Sequence, residues 1–541
     1  MELRPYQKTA VENIFNEWQQ ERQKTLLVLA TGLGKTIVFC NVIKQCVDHG
    51  LRVLILAHRG ELLDQAADKL KKTTGLTSAL EKAESTCLEN PQMVTVGSVQ
   101  TMQSEKRLAN FHHTYFDVIV VDEAHHCLSD GYQRVLNHFP AAKVLGVTAT
   151  PDRGDKKDLG KYFDSIAFEY SIAEGIRDGY LSKLRAVMIP LDIDISSVKQ
   201  SNGDFALGEL GDALAPYLEA IADEMLKYCM DRRTIVFLPL VATSQKFKDI
   251  LNRKGFRAEE INGNDFPDVR KRKLHDFETG KTNVLCNSML LTEGFDCPSI
   301  DCVICLRPTK VRSLYTQIIG RGTRLASGKK YCLILDFLWH TERMDLCHPA
   351  HLITTKQDVQ QKMTEIMEQK SEEIFDVEDL ELVAEGEVVK EREAALAAEL
   401  SASRSRKRKF IDPIQWEMSI ASTDLANYAE TFAWEMKPPT PKQVSALEKY
   451  GIDAQTVDSC GKASLILDKL NKRKVAGYTT PRQIQFLEQK GFKNVGMWQF
   501  SEASHLIECI AANQWIVPGY IGKPSMYKPQ SMVDQLQTQA L

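Results

Sequence analysis

Short unbroken apolar runs, each closed by a polar or glycine-bearing turn, recur from the start of the chain to about residue 345. "TLLVLA", "VLILAH", "MVTVGS", "VIVVDEAH" and "VLGVTAT" come first, then "TIVFLPL", "NVLCNS", "CVICLRP" and "YCLILDF". Between them lie helical patterns such as "TIVFCNVIKQCVDHG", closed by Gly50. Strands buried on both faces read as continuous apolar runs, and their alternation with helices predicts parallel sheets covered on both sides. There are enough strands for two such sheets. Periodicity fades near "VMIPLDIDISSVKQSNGDF", which predicts the break between them.

A different rhythm follows. Residues 356–400 are rich in Glu and Ala and helical in propensity, which predicts a solvated linker or a long helix. "SASRSRKRK" (401–409) gives it a basic end, read first as a solvated hinge and second as a phosphate contact. Beyond it, "TPKQVSALEKYGI" from Thr440 returns as "TPRQIQFLEQKGF" from Thr480, 40 residues on, and Ala463-Ser464 and Ala503-Ser504 keep that offset. Each copy opens with Thr at a helix N-cap and Pro at the first helical position, and its helix stops at Gly451 or Gly491. Leu447 and Leu487 share a face with Val444 and Ile484. The tail is expected to be two copies of one small helical unit.

Composition narrows the class. The 541 residues are 43% hydrophobic and 26% charged, as in an ordinary soluble protein, and no apolar run is long enough to cross a bilayer. "MELRPYQ" lacks the apolar stretch of a secretory signal, and the 13 cysteines lie mostly within apolar runs, so a reduced, cytoplasmic protein is expected. Cys302 and Cys305 form a CxxC inside a strand pattern, with no second pair at zinc spacing. The histidine pairs at 112–113 and 125–126 have no ligand-spaced partners either. The net charge of −4 divides unevenly: residues 356–400 hold 14 acids against 5 bases, −9, which leaves +5 for the rest. The overall balance therefore excludes no polyanionic partner.

"LATGLGKT" (29–36) nearly spells a phosphate-binding loop, with Leu29 where the motif G-x-x-x-x-G-K-[ST] has glycine. The chemistry asks for backbone N–H groups wrapped around phosphate at a helix N-terminus, which Gly32 and Gly34 can supply. Lys35 would reach the β and γ phosphates, and Thr36 would offer its hydroxyl to Mg²⁺. "VIVVDEAHH" (118–126) is an apolar strand ending in two acids, costly to bury unless something there uses negative charge. Beside a phosphate loop, Asp122 would hold Mg²⁺ and Glu123 would orient or deprotonate water. "QIIGRGTR" (317–324) places Arg321 and Arg324 three apart, predicted on one helix face, where they could neutralise charge on the γ-phosphate.

In this order, LRPYQ, ATGLGKT, LAHRGELLDQ, VGSVQTM, DEAH, TATP, TIVFLPL, LLTEGFDCP and QIIGRGTR resemble a superfamily 2 helicase with two RecA-like domains, over residues 1 to about 340. The variant is similar to the DEAH-containing group that includes RadD, UvsW, XPB and restriction-enzyme motor subunits, a group that acts on DNA. DEAD-box RNA helicases more often read SAT where this chain has Thr148-Ala-Thr150. The resemblance implies that Arg4 and Gln7 meet adenine, and that Thr31, Gly32, Leu33, Gly34, Lys35 and Thr36 wrap the phosphates of ATP. It places Gly294 and Asp296 near the nucleotide sugar, and Gln317, Arg321 and Arg324 at the γ-phosphate. His125, Thr148 and Thr150 would couple hydrolysis to domain movement. Arg59, Ser98, Gln100 and Thr292 would touch the nucleic-acid backbone. RadD-like proteins can carry a cysteine zinc module after the motor, and none is legible here.

The expectation is thus an α/β protein with RecA-like parallel-sheet domains at 1–190 and 191–345. An acidic helical linker with a basic end would occupy 346–410, and a helical region with the tandem repeat 411–541. It would be an ATP- and Mg²⁺-dependent DNA helicase or translocase in repair, recombination, replication or defence. The alternatives are an RNA helicase and a non-unwinding clamp switched by ATP. From Thr440 onward 12 bases face 8 acids, so the repeat is expected to grip nucleic acid, with docking of a protein partner as the alternative.

Overall fold

A computed structural model describes residues 3–57, 60–83, 85–149, 159–201, 204–288, 290–292, 295, 297–340, 346–402, 410–422, 424–432 and 434–529. The chain divides into two compact units, residues 1–355 with 363–381, and residues 356–362 with 382–541.

The first unit contains two seven-stranded sheets. One is built from β1 (Lys24–Leu29), β2 (Val53–Ala57), β3 (Ser78–Glu81), β4 (Val94–Ser98), β5 (Val118–Asp122), β6 (Lys143–Thr148) and β7 (Ser165–Tyr170). Their order is β3-β4-β2-β5-β6-β1-β7, with every pairing parallel. The nucleotide-loop strand β1 and the acid-bearing strand β5 flank β6, so both turns open at one carboxyl edge, where ligands of open α/β sheets sit.

The second sheet uses β8 (Lys183–Asp194), β11 (Thr234–Phe237), β12 (Ala258–Ile261), β13 (Val284–Asn287), β14 (Cys302–Cys305), β15 (Tyr331–His340) and β16 (Ile374–Asp376), in the order β12-β13-β11-β14-β15-β8-β16. Only β16 runs antiparallel, against β8. A two-stranded hairpin, β9 (Gln200–Ser201) and β10 (Asp204–Phe205), stands apart. The strand CVIC is fully buried in the sheet. Among the described residues no helix is long and apolar enough to cross a membrane.

Two expectations meet a different structure. The "VMIPLDID" stretch is not a break: it belongs to β8, whose twelve residues run beside β15, so the expected boundary at 190 falls inside a strand. Pro190 misleads because proline cannot donate to a ladder, and the register with β15 shifts where it sits, between the pairs Phe337–Ile189 and Trp339–Ile193. For 356–400, of the two alternatives, the long helix is present as Val377–Ala402, while the stretch is not solvated throughout. Helices Gln357–Gln369 and Val377–Ala402 bury Val359, Met363, Met367, Val377, Leu380, Ala384 and Val388, and β16 lies between them.

In the tail, helices Pro441–Tyr450 and Cys460–Val475 form one repeat copy, and Pro481–Gln489 and Phe500–Ala512 the other. Thr440 and Gln443 close a reciprocal capping box, as do Thr480 and Gln483. Gln443 then donates to Ser464 Oγ at 3.0 Å and Gln483 to Ser504 Oγ at 2.9 Å, so the duplication extends to individual hydrogen bonds. Leu447, Leu487, Ala463 and Ala503 fill a shared core. Gly451 (φ +94°) and Gly491 (φ +91°) make the left-handed exits that side chains resist. The basic patch at 403–409 lies outside the described residues.

Candidate active site

The loop after β1 is shaped by two glycines with positive φ, Gly32 (+90°) and Gly34 (+82°), before the helix Lys35–Asp48. A Cβ on Gly34 would lie 2.7 Å from Gln7 Nε2, and one on Gly32 3.0 Å from Leu181, so the neighbours crowd both positions, and it is the positive φ that calls for glycine. Among the described residues no side chain caps the helix, leaving its first N–H groups for an anion. Leu29, the departure from the motif, is fully buried in β1 beside Tyr170 of β7. That position packs the sheet and makes no turn, so glycine is not required there.

The helix Pro5–Gln19 brings Gln7 against the loop. Gln7 Oε1 accepts from Arg4 N at 3.0 Å, and Nε2 donates to Leu33 O at 3.1 Å. Tyr6 OH donates to the same carbonyl at 2.7 Å, while its ring stacks on Tyr170 at 4.6 Å. Arg4 lies over the Tyr180 ring at 5.2 Å. Tyr6, Tyr170 and Tyr180 went unread in the sequence; only Tyr6 carried a signal, its place beside Gln7.

At the end of β5, Glu123 takes a left-handed conformation (φ +51°), a cost of about 1–3 kcal/mol for a residue with a side chain. The twist turns its carboxylate toward Lys35 Nζ (3.6 Å from Oε1) and His125 Nδ1 (3.6 Å from Oε2). Among the described residues Glu123 Oε2 and His125 Nδ1 are buried without a hydrogen-bond partner. Burial, then the charge of Glu123, push the Asp122 carboxyl up to about 6. Burial also raises Glu123, but Lys35, His125 and His126 outweigh it and hold that carboxyl below the usual range. A crowded carboxylate pair with an unpartnered oxygen, behind an uncapped helix start, fits a triphosphate with a hard divalent cation. Thr148 ends β6 next to this turn, buried, with Val147 in register with Asp122.

The second sheet supplies the facing residues. Gln317 lies buried on the helix Arg312–Ile319. That helix stops before the two arginines, so they sit in the turn after it and not on a helix face. Two glycines let the turn pack closely. A Cβ on Gly320 would lie 2.6 Å from Thr31 Cβ, and one on Gly322 only 2.2 Å from Cys332 Sγ. The turn rests on the nucleotide loop itself, with Thr323 Oγ1 3.4 Å from Thr31 O. Arg321 Nη1 donates to Phe295 O at 2.6 Å, and Arg324 Nη1 to the same oxygen at 3.4 Å.

Of the expected nucleic-acid contacts, Gln100 is exposed and Ser98 is buried at the end of β4. Arg59, Thr150, Gly294 and Asp296 lie outside the described residues, as does the side chain of Thr292.

Residues 1–153 match the family described as type III restriction enzyme, res subunit, and residues 217–326 match the helicase conserved C-terminal domain. The chain is 33% identical to the protein named as the ATP-dependent helicase IRC3 of Saccharomyces cerevisiae, over 62% of this chain and 51% of that protein. It is 26% identical to the type I restriction enzyme EcoAI endonuclease subunit of Escherichia coli, over 70% of this chain and 52% of that one. Among solved structures, a fragment of an HsdR subunit of a type I restriction enzyme from Vibrio vulnificus superimposes with a TM-score of 0.50 at 26% identity, covering 61% of this chain and 63% of that one. The chain thus spans about half the length of these curated relatives.

Proposed function

For a chain whose paired sheets belong to the superfamily 2 helicases of the restriction-motor kind, we propose an ATP-driven motor that moves along or unwinds DNA. The observation that supports the reading most is the packing of Gly320, Thr323 and Arg324 against Thr31 and Gly32, which brings the arginine-bearing turn of one sheet up to the phosphate loop of the other. Gln7 and Arg4 select the base, and Lys35 meets the ground-state phosphates. Glu123, kept ionised by Lys35 and the histidines, accepts a proton from water or orients it. Thr36 and Asp122 would hold Mg²⁺, which when bound neutralises phosphate charge. Arg321 and Arg324 add positive charge as the transition state forms. His125 lies beside the Glu123 carboxylate and Thr148 follows Val147, the register partner of Asp122, where a change at the phosphate can be passed on to the facing sheet.

DNA is favoured over RNA by the restriction-enzyme relatives. The deciding experiment measures ATP hydrolysis in parallel with single-stranded DNA, duplex DNA, forked DNA and RNA. DNA should raise the rate and RNA should not. Stimulation by RNA alone would select an RNA helicase, and a rate indifferent to every nucleic acid would contradict a motor.

A further inference from the structure

All three peptide carbonyls of the turn Gly322–Arg324 are held by donors from outside it. Ser182 N donates to Thr323 O at 2.7 Å. Lys329 Nζ donates to Gly322 O at 2.5 Å and to Arg324 O at 2.8 Å, and it reaches Pro298 O at 3.4 Å. An ammonium has three donors, and here three carbonyls receive them. The guanidinium groups of Arg321 and Arg324 meanwhile share Phe295 O. The turn is therefore tied twice to the segment 295–298, through its side chains at Phe295 and through its backbone at Pro298. Gly322 is packed flush against Cys332, so the turn has little room to settle elsewhere. Burial draws the Lys329 ammonium below the usual lysine range, a cost that its carbonyl contacts offset.

We propose that Lys329 is a positioning residue for hydrolysis, holding the arginine turn in register with the 295–298 segment so that Arg321 and Arg324 reach the phosphate together. Without its ammonium, Gly322 O and Arg324 O lose the donor that Lys329 supplies, and even a small shift of the closely packed turn moves both arginines. A displacement of about 1 Å at the reacting groups can cost roughly a hundredfold in rate. The inference rests on the proposed role of the two arginines.

The test uses the full chain with Lys329→Met, Lys329→Arg and Arg324→Ala. Each is measured for melting temperature, for kcat and KM of DNA-stimulated ATP hydrolysis, and for affinity to ADP with and without aluminium fluoride. Lys329→Met should lower kcat by about tenfold to a hundredfold while KM and ADP affinity stay within about twofold. Affinity for the fluoride complex, which mimics the transition state, should fall by the same factor as kcat. Lys329→Arg should restore most of the rate, since it returns charged donors to the same carbonyls. If Lys329→Met fails to fold, Lys329→Gln, which loses the charge and is too short to reach all three carbonyls, takes its place in every comparison. Wild-type kcat in Lys329→Met alongside a slow Arg324→Ala would overturn this inference and leave the arginines standing. Equal losses in ADP affinity and kcat would also overturn it, as the mark of general damage. A fast Arg324→Ala would overturn the arginine reading and this inference together.

Discussion

The helix that begins at Lys35 and those that begin at Pro441 and Pro481 start in opposite ways. The tail helices close on themselves: Thr440 with Gln443, and Thr480 with Gln483, satisfy donor and acceptor reciprocally within one turn. Among the described residues the Lys35 helix has no capping side chain, follows two glycines with positive φ, and faces a glutamate in a left-handed conformation with an oxygen that lacks a hydrogen bond. Open polar groups cost stability, and here they gather where an anion and a cation can complete them. Closed groups mark scaffold. The contrast supports placing the proposed chemistry at the open edge and a separate role in the closed repeat.

The largest expected effect breaks the open side. Arg321→Ala or Arg324→Ala should reduce kcat by about 10³–10⁵ while nucleotide affinity changes little, because their contact completes only as charge develops. Rapid-quench hydrolysis and nucleotide titration separate the two quantities. An equal fall in affinity and rate would place the arginines in ground-state binding instead.

A smaller effect asks what the closed side carries. In "NKRK", Lys472 and Lys474 are exposed, but Arg473 is half-buried, donates to Gly496 O and lies over the Tyr478 ring at 4.9 Å. Arg473 is therefore structural, and only its neighbours can meet phosphate. If the tail grips DNA, Lys472→Gln and Lys474→Gln should each make the slope of log affinity against log salt shallower by roughly one unit. Unchanged slopes in purified protein would favour docking of a protein partner.

Caps come next. Thr440→Ala and Thr480→Ala should each cost about 1 kcal/mol by denaturant titration of the tail, with equal losses, and leave ATP hydrolysis unchanged. Unequal losses would show that twin geometry hides different energetics.

The smallest effect lies in the charge cluster of the tail. Asp424 sits 2.9 Å from Lys356 and 2.7 Å from Lys469, and although burial raises it, these ammonium groups together draw its carboxyl down to about 2. The folded value lies below the ordinary 3.8, so its stabilisation is present above that pH and is lost as pH falls toward about 2. Asp424→Asn should flatten acid unfolding in that window alone, by a modest amount because the side chain is 40% exposed.

Continuous apolar runs made β1, β2, β4, β5, β6, β11, β13, β14 and β15 legible, and the Thr-Pro and glycine punctuation made both repeat copies legible. The strands that escaped are those that lack the run. β3 (SALE) and β12 (AEEI) are polar edge strands, β7 (SIAFEY) is an edge strand with a polar residue between its buried ones, β8 contains Pro190, β9 and β10 are two residues each, and β16 sits among helical residues. At the site, the loop, Asp122 and Glu123 could be read because their spacing is local. Tyr170, Tyr180, Ser182 and Lys329 could not, because folding alone brings them to Tyr6 or to the arginine turn, and nothing in their neighbouring residues announces it.

The central claim is that the open edge hydrolyses ATP, with Lys35 binding phosphate and Glu123 acting on water. It is tested most directly by measuring ATP affinity and steady-state turnover for Lys35→Ala and Glu123→Gln beside the wild-type chain, with DNA present. Lys35→Ala should lose both affinity and turnover, since it meets the ground-state phosphates. Glu123→Gln should bind ATP nearly as tightly as wild type and turn over almost none of it. Near wild-type turnover in Glu123→Gln would contradict the account.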